Sequence, residues 1–126
     1  RVGLDAPLSR EILGPVLSVY RVPDAAAGWA RCREVLALDG EGHTCAVHAA
    51  DPEEIAPFGT LPAGRIVVNT PALFGGMGFS CEVDPSFQLG TGTWSGSICS
   101  DNVTPLHLIN IKRIAHEVRP WRTVYD

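Results

Sequence analysis

Four histidines and four cysteines are the first side chains in this chain to weigh for moving a proton, attacking a carbonyl or binding a metal. His43 follows the turn-like Gly40-Glu41-Gly42 and leads a strand-like run. Imidazole titrates near neutral pH, so His43 could carry a proton. The plainer use of a histidine there is a hydrogen bond to a turn. His48 lies inside the strand-like run and reads as structural, while His107 and His116 have no partner at a useful spacing. Cys32, Cys45, Cys81 and Cys99 form no CxxC pair and no regular interval. They read as buried, reduced thiols, and His43-x-Cys45 alone is too little for zinc, so no metal site is expected. Gly75-Gly76-Met77-Gly78 lacks the glycine spacing and the following Lys-Ser/Thr of a phosphate loop.

The stretch from Pro85 to Ser97 is rich in Gly, Pro, Ser and Thr and cannot be a helix or strand interior. It nevertheless carries Phe87, Leu89 and Trp94, which favour burial. A long loop with apolar anchors walls a site or braces an interface. Phe74, Phe87 and Trp94 are candidates for a pocket lining, with plain core burial the simpler expectation.

The elements that must position these groups follow from patterning. Val16–Val22, after Gly14-Pro15, is β-branched and short enough for a buried strand. Asp24 is a plausible cap for a helix from Ala25 to Leu38, with Ala25, Trp29, Cys32 and Leu36 on one stripe. Glycines at 40 and 42 offer a left-handed stop. His43–Ala49 reads as a second strand. Asp51-Pro52-Glu53-Glu54 reads as a short helix start, and Arg65–Asn69 as a third strand. Thr104-Pro105 could cap a last helix through Ile109, and residues 111–118 fit helix and strand equally. Strand, helix, strand, short helix, strand predicts an α/β layer with parallel strands. Sites in such sheets gather past the carboxyl ends of strands, which would make Asn69-Thr70-Pro71 and the glycines after it a site wall.

The bulk numbers exclude other classes. With 126 residues, 45 % hydrophobic, the chain can form one core. A formal charge of −4 argues against a nucleic-acid partner. The late basic group Lys112, Arg113, Arg119 and Arg122 reads as a solvated face. No apolar run approaches the ~20 residues of a membrane span. Residues 1–20 carry Asp5, Arg10 and Glu11 and do not read as a signal peptide. A cytoplasmic setting is expected, the interior of a bacterial microcompartment included. Arg1 is not Met, and Val2–Pro7 reads like a loop entered in mid-course, so a piece of something longer is expected.

Three blocks, in order, resemble the C-terminal part of an aldehyde dehydrogenase catalytic domain. They are Pro7-Leu8-Ser9-Arg10-Glu11-Ile12-Leu13-Gly14-Pro15-Val16-Leu17; Gly42-His43-Thr44 with Arg65-Ile66-Val67-Val68-Asn69-Thr70-Pro71; and the run from Pro85 through Ser100-Asp101-Asn102-Val103-Thr104-Pro105 to Lys112. The resemblance is to the CoA-acylating subgroup, including the aldehyde half of bifunctional aldehyde-alcohol dehydrogenases. The chain departs from that pattern at Thr91 and at Ser95-Gly96-Ser97.

The resemblance implies a three-layer α/β fold with a mostly parallel sheet, of which residues 1–126 form a single partial domain. It implies an aldehyde substrate, NAD or NADP as hydride acceptor, and coenzyme A as co-substrate. By the same resemblance the reaction would run through a cysteine thioester whose nucleophile would lie upstream of this chain. Glu11 would accept hydrogen bonds from the hydroxyls of the nicotinamide ribose, work that suits a carboxylate with two accepting oxygens. Leu13 and Gly14 would lie beside that ribose. His43 would be an active-site residue handling the proton of the CoA thiol. The complete enzyme would be a homo-oligomer, with residues 119–126 a possible pairing strand. A hydrolytic aldehyde dehydrogenase and a non-catalytic assembly module are the alternatives.

Overall fold

Asp24 starts the longest element of the computed structural model, which describes residues 1–123. Its carboxylate accepts the Ala27 N–H at 2.8 Å, satisfying one of the free donors of a helix start. Helix α1 runs Ala25–Asp39 and buries Leu36. Its end differs from expectation: Gly40 has φ −119°, and the left-handed residue is Gly42, with φ +83°. Gly42 turns the chain into β1, Thr44–Val47.

Asp51 caps α2, Pro52–Ile55, by accepting the Glu53 N–H at 2.8 Å, and a 3-10 turn continues through Ala56–Thr60. The Trp29 indole ties α1 to that turn by donating to the Pro57 carbonyl at 2.9 Å. Strand β2, Arg65–Val68, pairs parallel to β1, with Thr44 opposite Arg65 and Val47 opposite Val68. Helix α3, Ala72–Gly76, packs on both strands. A Cβ at Gly75 would lie 2.6 Å from Thr70 Cγ2 and 2.9 Å from Val67 Cβ, so this approach requires glycine. Gly75 and Gly76 thus serve helix–sheet packing, and Gly78 packs on the loop at Val83 and Pro85.

The parallel α/β expectation holds, but the sheet has two strands among the described residues, not three. Val16–Val22 joins no ladder. Its β-branched content records a liking for a half-buried pleated surface, and no neighbouring strand here supplies one. Residues 104–109 give only a 3-10 turn, Pro105–Leu108, because its apolar side chains Leu106, Leu108 and Ile109 are not covered by the described residues and so lend a longer helix no packing. Residues 111–118 take up no regular structure. Trp121–Thr123 form a 3-10 turn. The remainder of the suggested pairing strand, residues 124–126, lies outside the described residues.

Among the described residues, buried apolar side chains are few: Leu36, Leu61 and Val67. Phe87 and Trp94 are 84 % and 64 % exposed and Phe74 is 53 % exposed, so none of the three is a core residue. Phe74, Phe79 and Phe87 instead form an aromatic chain at the surface, with ring centroids 6.3 and 5.8 Å apart. The four cysteines are free and half-buried, and burial raises the thiol pKa of Cys32 and of Cys45. No helix of the described residues is long and apolar enough to cross a membrane.

Candidate functional site

Glu11 stands on an exposed loop just after a 3-10 turn, Pro7–Ser9. Ser9, buried, organises that turn: its hydroxyl donates to Ala6 O at 2.7 Å and accepts the Gly3 N–H at 3.1 Å. Beyond it, Arg10 reaches the last residue of α1 in a forked ion pair. Its Nε and Nη2 each lie 2.9 Å from one oxygen of Asp39. The Glu11 N–H points to the same carboxylate, at 3.4 Å. The guanidinium holds the Asp39 carboxyl below the usual carboxylate range. Leu13 is 92 % exposed, and a Cβ at Gly14 would meet nothing within 4 Å. Glu11, Leu13 and Gly14 therefore form an open shelf with a free carboxylate at one end, a shape that could receive a sugar diol.

His43 is exposed and sits at the amino end of β1, where its N–H donates to Gly40 O at 3.1 Å. The rule that sites lie past the carboxyl ends of parallel strands would not have found it. With Asp39, Glu41 and Ser95 it borders a cleft of about 230 Å³ beside the end of α1. Asp39 is thus common to both sequence-predicted groups: it anchors the Glu11 loop and lines the His43 cleft. At the opposite, carboxyl end, Asn69 closes the sheet, its amide donating to Ala49 O at 2.9 Å and its oxygen accepting the Ala49 N–H at 3.1 Å.

The Pro85–Lys112 run folds over the amino ends of both strands. Gly42, at φ +83°, packs so tightly on it that a Cβ would collide with the Thr91 carbonyl oxygen. Ser95 Oγ, on the cleft, lies 2.5 Å from Thr91 Oγ1. A polar hub fixes the run to the sheet. Arg65, the first residue of β2, donates to Asn102 Oδ1 at 2.6 Å, Gly90 O at 3.0 Å and Ser100 O at 3.1 Å. Asn102, 5 % exposed, donates in turn to Gly76 O at 2.9 Å and Asp84 O at 2.6 Å. Sequence reasoning missed this hub and the Arg10–Asp39 fork, because both join residues far apart in the chain.

Cys99, Asp101 and His107 place ligand-type atoms within 4.8 Å of one another, a grouping that no common metal spacing announces. The ring works against a metal. His107 Nδ1 accepts the Thr104 N–H at 3.0 Å, which leaves the proton on Nε2, facing Asp101 at 3.4 Å. A metal-bound histidine donates through its second nitrogen and does not accept there. His107, backed by Asp101, reads as the lock of the Thr104 turn.

Comparison with known proteins gives this geometry a context. No family model matches the chain. It is 36 % identical over 115 residues to the aldehyde-alcohol dehydrogenase of Streptococcus pneumoniae, covering 90 % of this chain and 13 % of that protein. It is 39 % identical over 116 residues to the sulfoacetaldehyde dehydrogenase (acylating) of Cupriavidus necator, covering 90 % of this chain and 24 % of that protein. The fold superposes on the acetylating aldehyde dehydrogenase of Geobacillus thermoglucosidasius with a TM-score of 0.89 and 43 % identity, over 95 % of this chain and 27 % of that one. The chain belongs, as a segment, to the acylating aldehyde dehydrogenases. That acylating dehydrogenase segment spans only about an eighth to a quarter of the length of these relatives.

Proposed function

We propose that this segment is part of an enzyme that converts an aldehyde, coenzyme A and NAD to acyl-CoA, NADH and a proton. The observation that carries the proposal is the identity of 36–43 % with acylating aldehyde dehydrogenases over nine-tenths of the chain. Within that enzyme, Glu11 accepts the two hydroxyls of the nicotinamide ribose, and Leu13 and Gly14 form the surface beneath it. The exposed carboxylate and the open space over Gly14 suit a ribose, and NADP would meet the same groups. When bound, the dinucleotide supplies the hydride acceptor. His43 borders the cleft where the CoA thiol would lose its proton, and it is exposed there.

The thin core supports a role inside a larger body. Leu17, Leu108, Ile114 and Val118 are all more than 80 % exposed, which suits surfaces covered by the remainder of a complete enzyme or by a second subunit. A cytoplasmic homo-oligomer, free or within a microcompartment, is the setting this reading takes. The test feeds acetaldehyde and NAD to the complete gene product with and without CoA. NADH formation that requires CoA, with acyl-CoA as product, is expected. NADH formation independent of CoA, with free acid as product, would assign the segment to a hydrolytic enzyme instead.

A further inference from the structure

We propose that Asp39 is a positioning residue for Glu11, acting through the forked pair with Arg10 and the Glu11 N–H; this rests on the reading of Glu11 as the ribose-binding group. Three observations carry it. First, Asp39 is the last residue of α1. A helix C-terminus favours cations and disfavours an acid, so a carboxylate there runs against the local preference unless a cation answers it. Arg10 answers it from 29 positions earlier in the chain, through both oxygens.

Second, the ties of the Glu11 loop converge on this one group. The other hydrogen bonds of residues 10–14 stay within the loop or its flanks: Arg10 N–H to Pro7 O, Gly14 N–H to Ile12 O and Val16 N–H to Gly14 O. Among the described residues, every hydrogen bond from residues 10–14 to the rest of the fold ends on Asp39. Third, the end of α1 also borders the His43 cleft. The fork therefore fixes where the Glu11 shelf stands relative to that cleft. Glu11 touches the ligand; Asp39 acts through it. A lysine at position 10 could not replace the fork, because an ammonium cannot engage both oxygens in plane.

The experiment uses the complete enzyme and four variants: Glu11→Gln, Asp39→Asn, Arg10→Lys and Arg10→Gln. The Arg10 variants change an exposed side chain and remain informative if Asp39→Asn fails to fold. The readouts are the NAD dissociation constant by calorimetry, the KM values for NAD, CoA and aldehyde, and hydrogen exchange of residues 8–14 without NAD. Asp39→Asn and Arg10→Gln are expected to weaken NAD binding about tenfold, the effect of losing one charge-assisted tie. KM for NAD should rise with it; in Arg10→Gln, which leaves the Asp39 side chain on the His43 cleft intact, kcat and the KM values for CoA and aldehyde should hold within about twofold. Exchange over residues 10–14 should quicken in both, and Arg10→Lys should fall between them and the parent. If Glu11→Gln weakens NAD binding but Asp39→Asn and Arg10→Gln do not, the positioning role is wrong and the ribose role stands. If Glu11→Gln itself leaves NAD binding unchanged, the ribose role fails, and the positioning role with it. Faster exchange with unchanged NAD affinity would reduce Asp39 to a structural residue and overturn the proposal.

Discussion

Replacing Asn102 by alanine removes three hydrogen bonds from one nearly buried side chain. Two are donated to the carbonyls of Gly76 and Asp84, at 2.9 and 2.6 Å, and one is accepted from Arg65 at 2.6 Å. A neutral bond contributes about 1 kcal/mol net and one to a charged group about 1.5–3 kcal/mol. The sum is roughly 3–5 kcal/mol, and the lower end is the better expectation because the Arg65 side chain is only part-buried and water can replace its partner. The loss should be local to the segment that Asn102 holds. Three amides report on it: Gly90 donates to Asp101 O at 2.9 Å, Gly92 to Cys99 O at 2.9 Å and Val103 to Gln88 O at 2.8 Å. If they exchange through local opening, about 3 kcal/mol speeds each by roughly a hundredfold. Asn102→Asp sharpens the test. It keeps an acceptor for Arg65 but turns both donors into an oxygen facing two carbonyls, so it should not restore protection. Exchange at all three amides within about threefold of the parent in Asn102→Ala would refute the hub.

Two further substitutions separate geometry from chemistry. Gly42→Ala places a Cβ against the Thr91 carbonyl at a left-handed φ of +83°. The backbone strain costs about 1–2 kcal/mol and the overpacking about 1–3 kcal/mol more, so the melting temperature of the complete enzyme should fall by several degrees. Gly59→Ala, which meets open space, should leave it unchanged. Asp39 should titrate below the usual ~3.9, because Arg10 favours its charged form. A depressed folded pKa contributes stability above the unfolded value and loses it as pH falls through the folded one. A carbon-detected carboxyl titration should therefore place the Asp39 midpoint below that value in the parent and near it in Arg10→Gln.

Legibility from sequence tracked how local each decision is. Asp24 and Asp51 were readable as caps because a cap is satisfied within three residues, and both carboxylates accept the backbone N–H expected of them. The two strands after α1 were readable from β-branched runs bounded by turns. Val16–Val22 carries the same signal, but a strand exists only with a neighbour, and pairing is not written in the run itself. Phe87 and Trp94 failed for a related reason. Hydrophobic side chains state a preference for burial without naming what buries them, and the described residues do not enclose them. At the site, Glu11, Leu13, Gly14 and His43 came from the resemblance. The ties of Asp39 to the Glu11 loop, and of Arg65 and Asn102 to the closing run, did not, because they join residues 18 to 37 positions apart.

The long-range ties also show how a segment with so few buried apolar side chains keeps a defined shape. Leu36, Leu61 and Val67 give a small core, and burial of one such side chain contributes only about 1.5–3 kcal/mol. Position is set instead by directional polar contacts and by glycines that let backbones meet. The Arg65–Asn102 hub seats the run on β2 and α3, and Gly42 seats it on the turn before His43. The Arg10–Asp39 fork seats the Glu11 loop on the end of α1. Hydrogen bonds fix angle and distance where apolar burial fixes neither, so the two candidate groups can be held in register while large apolar faces stay uncovered. Under the proposed function, those faces would be buried by the rest of the larger enzyme without moving Glu11 or His43. On this argument, Gly42→Ala should disturb the His43 cleft and leave the Glu11 loop in place, whereas breaking the Arg10–Asp39 fork should do the reverse.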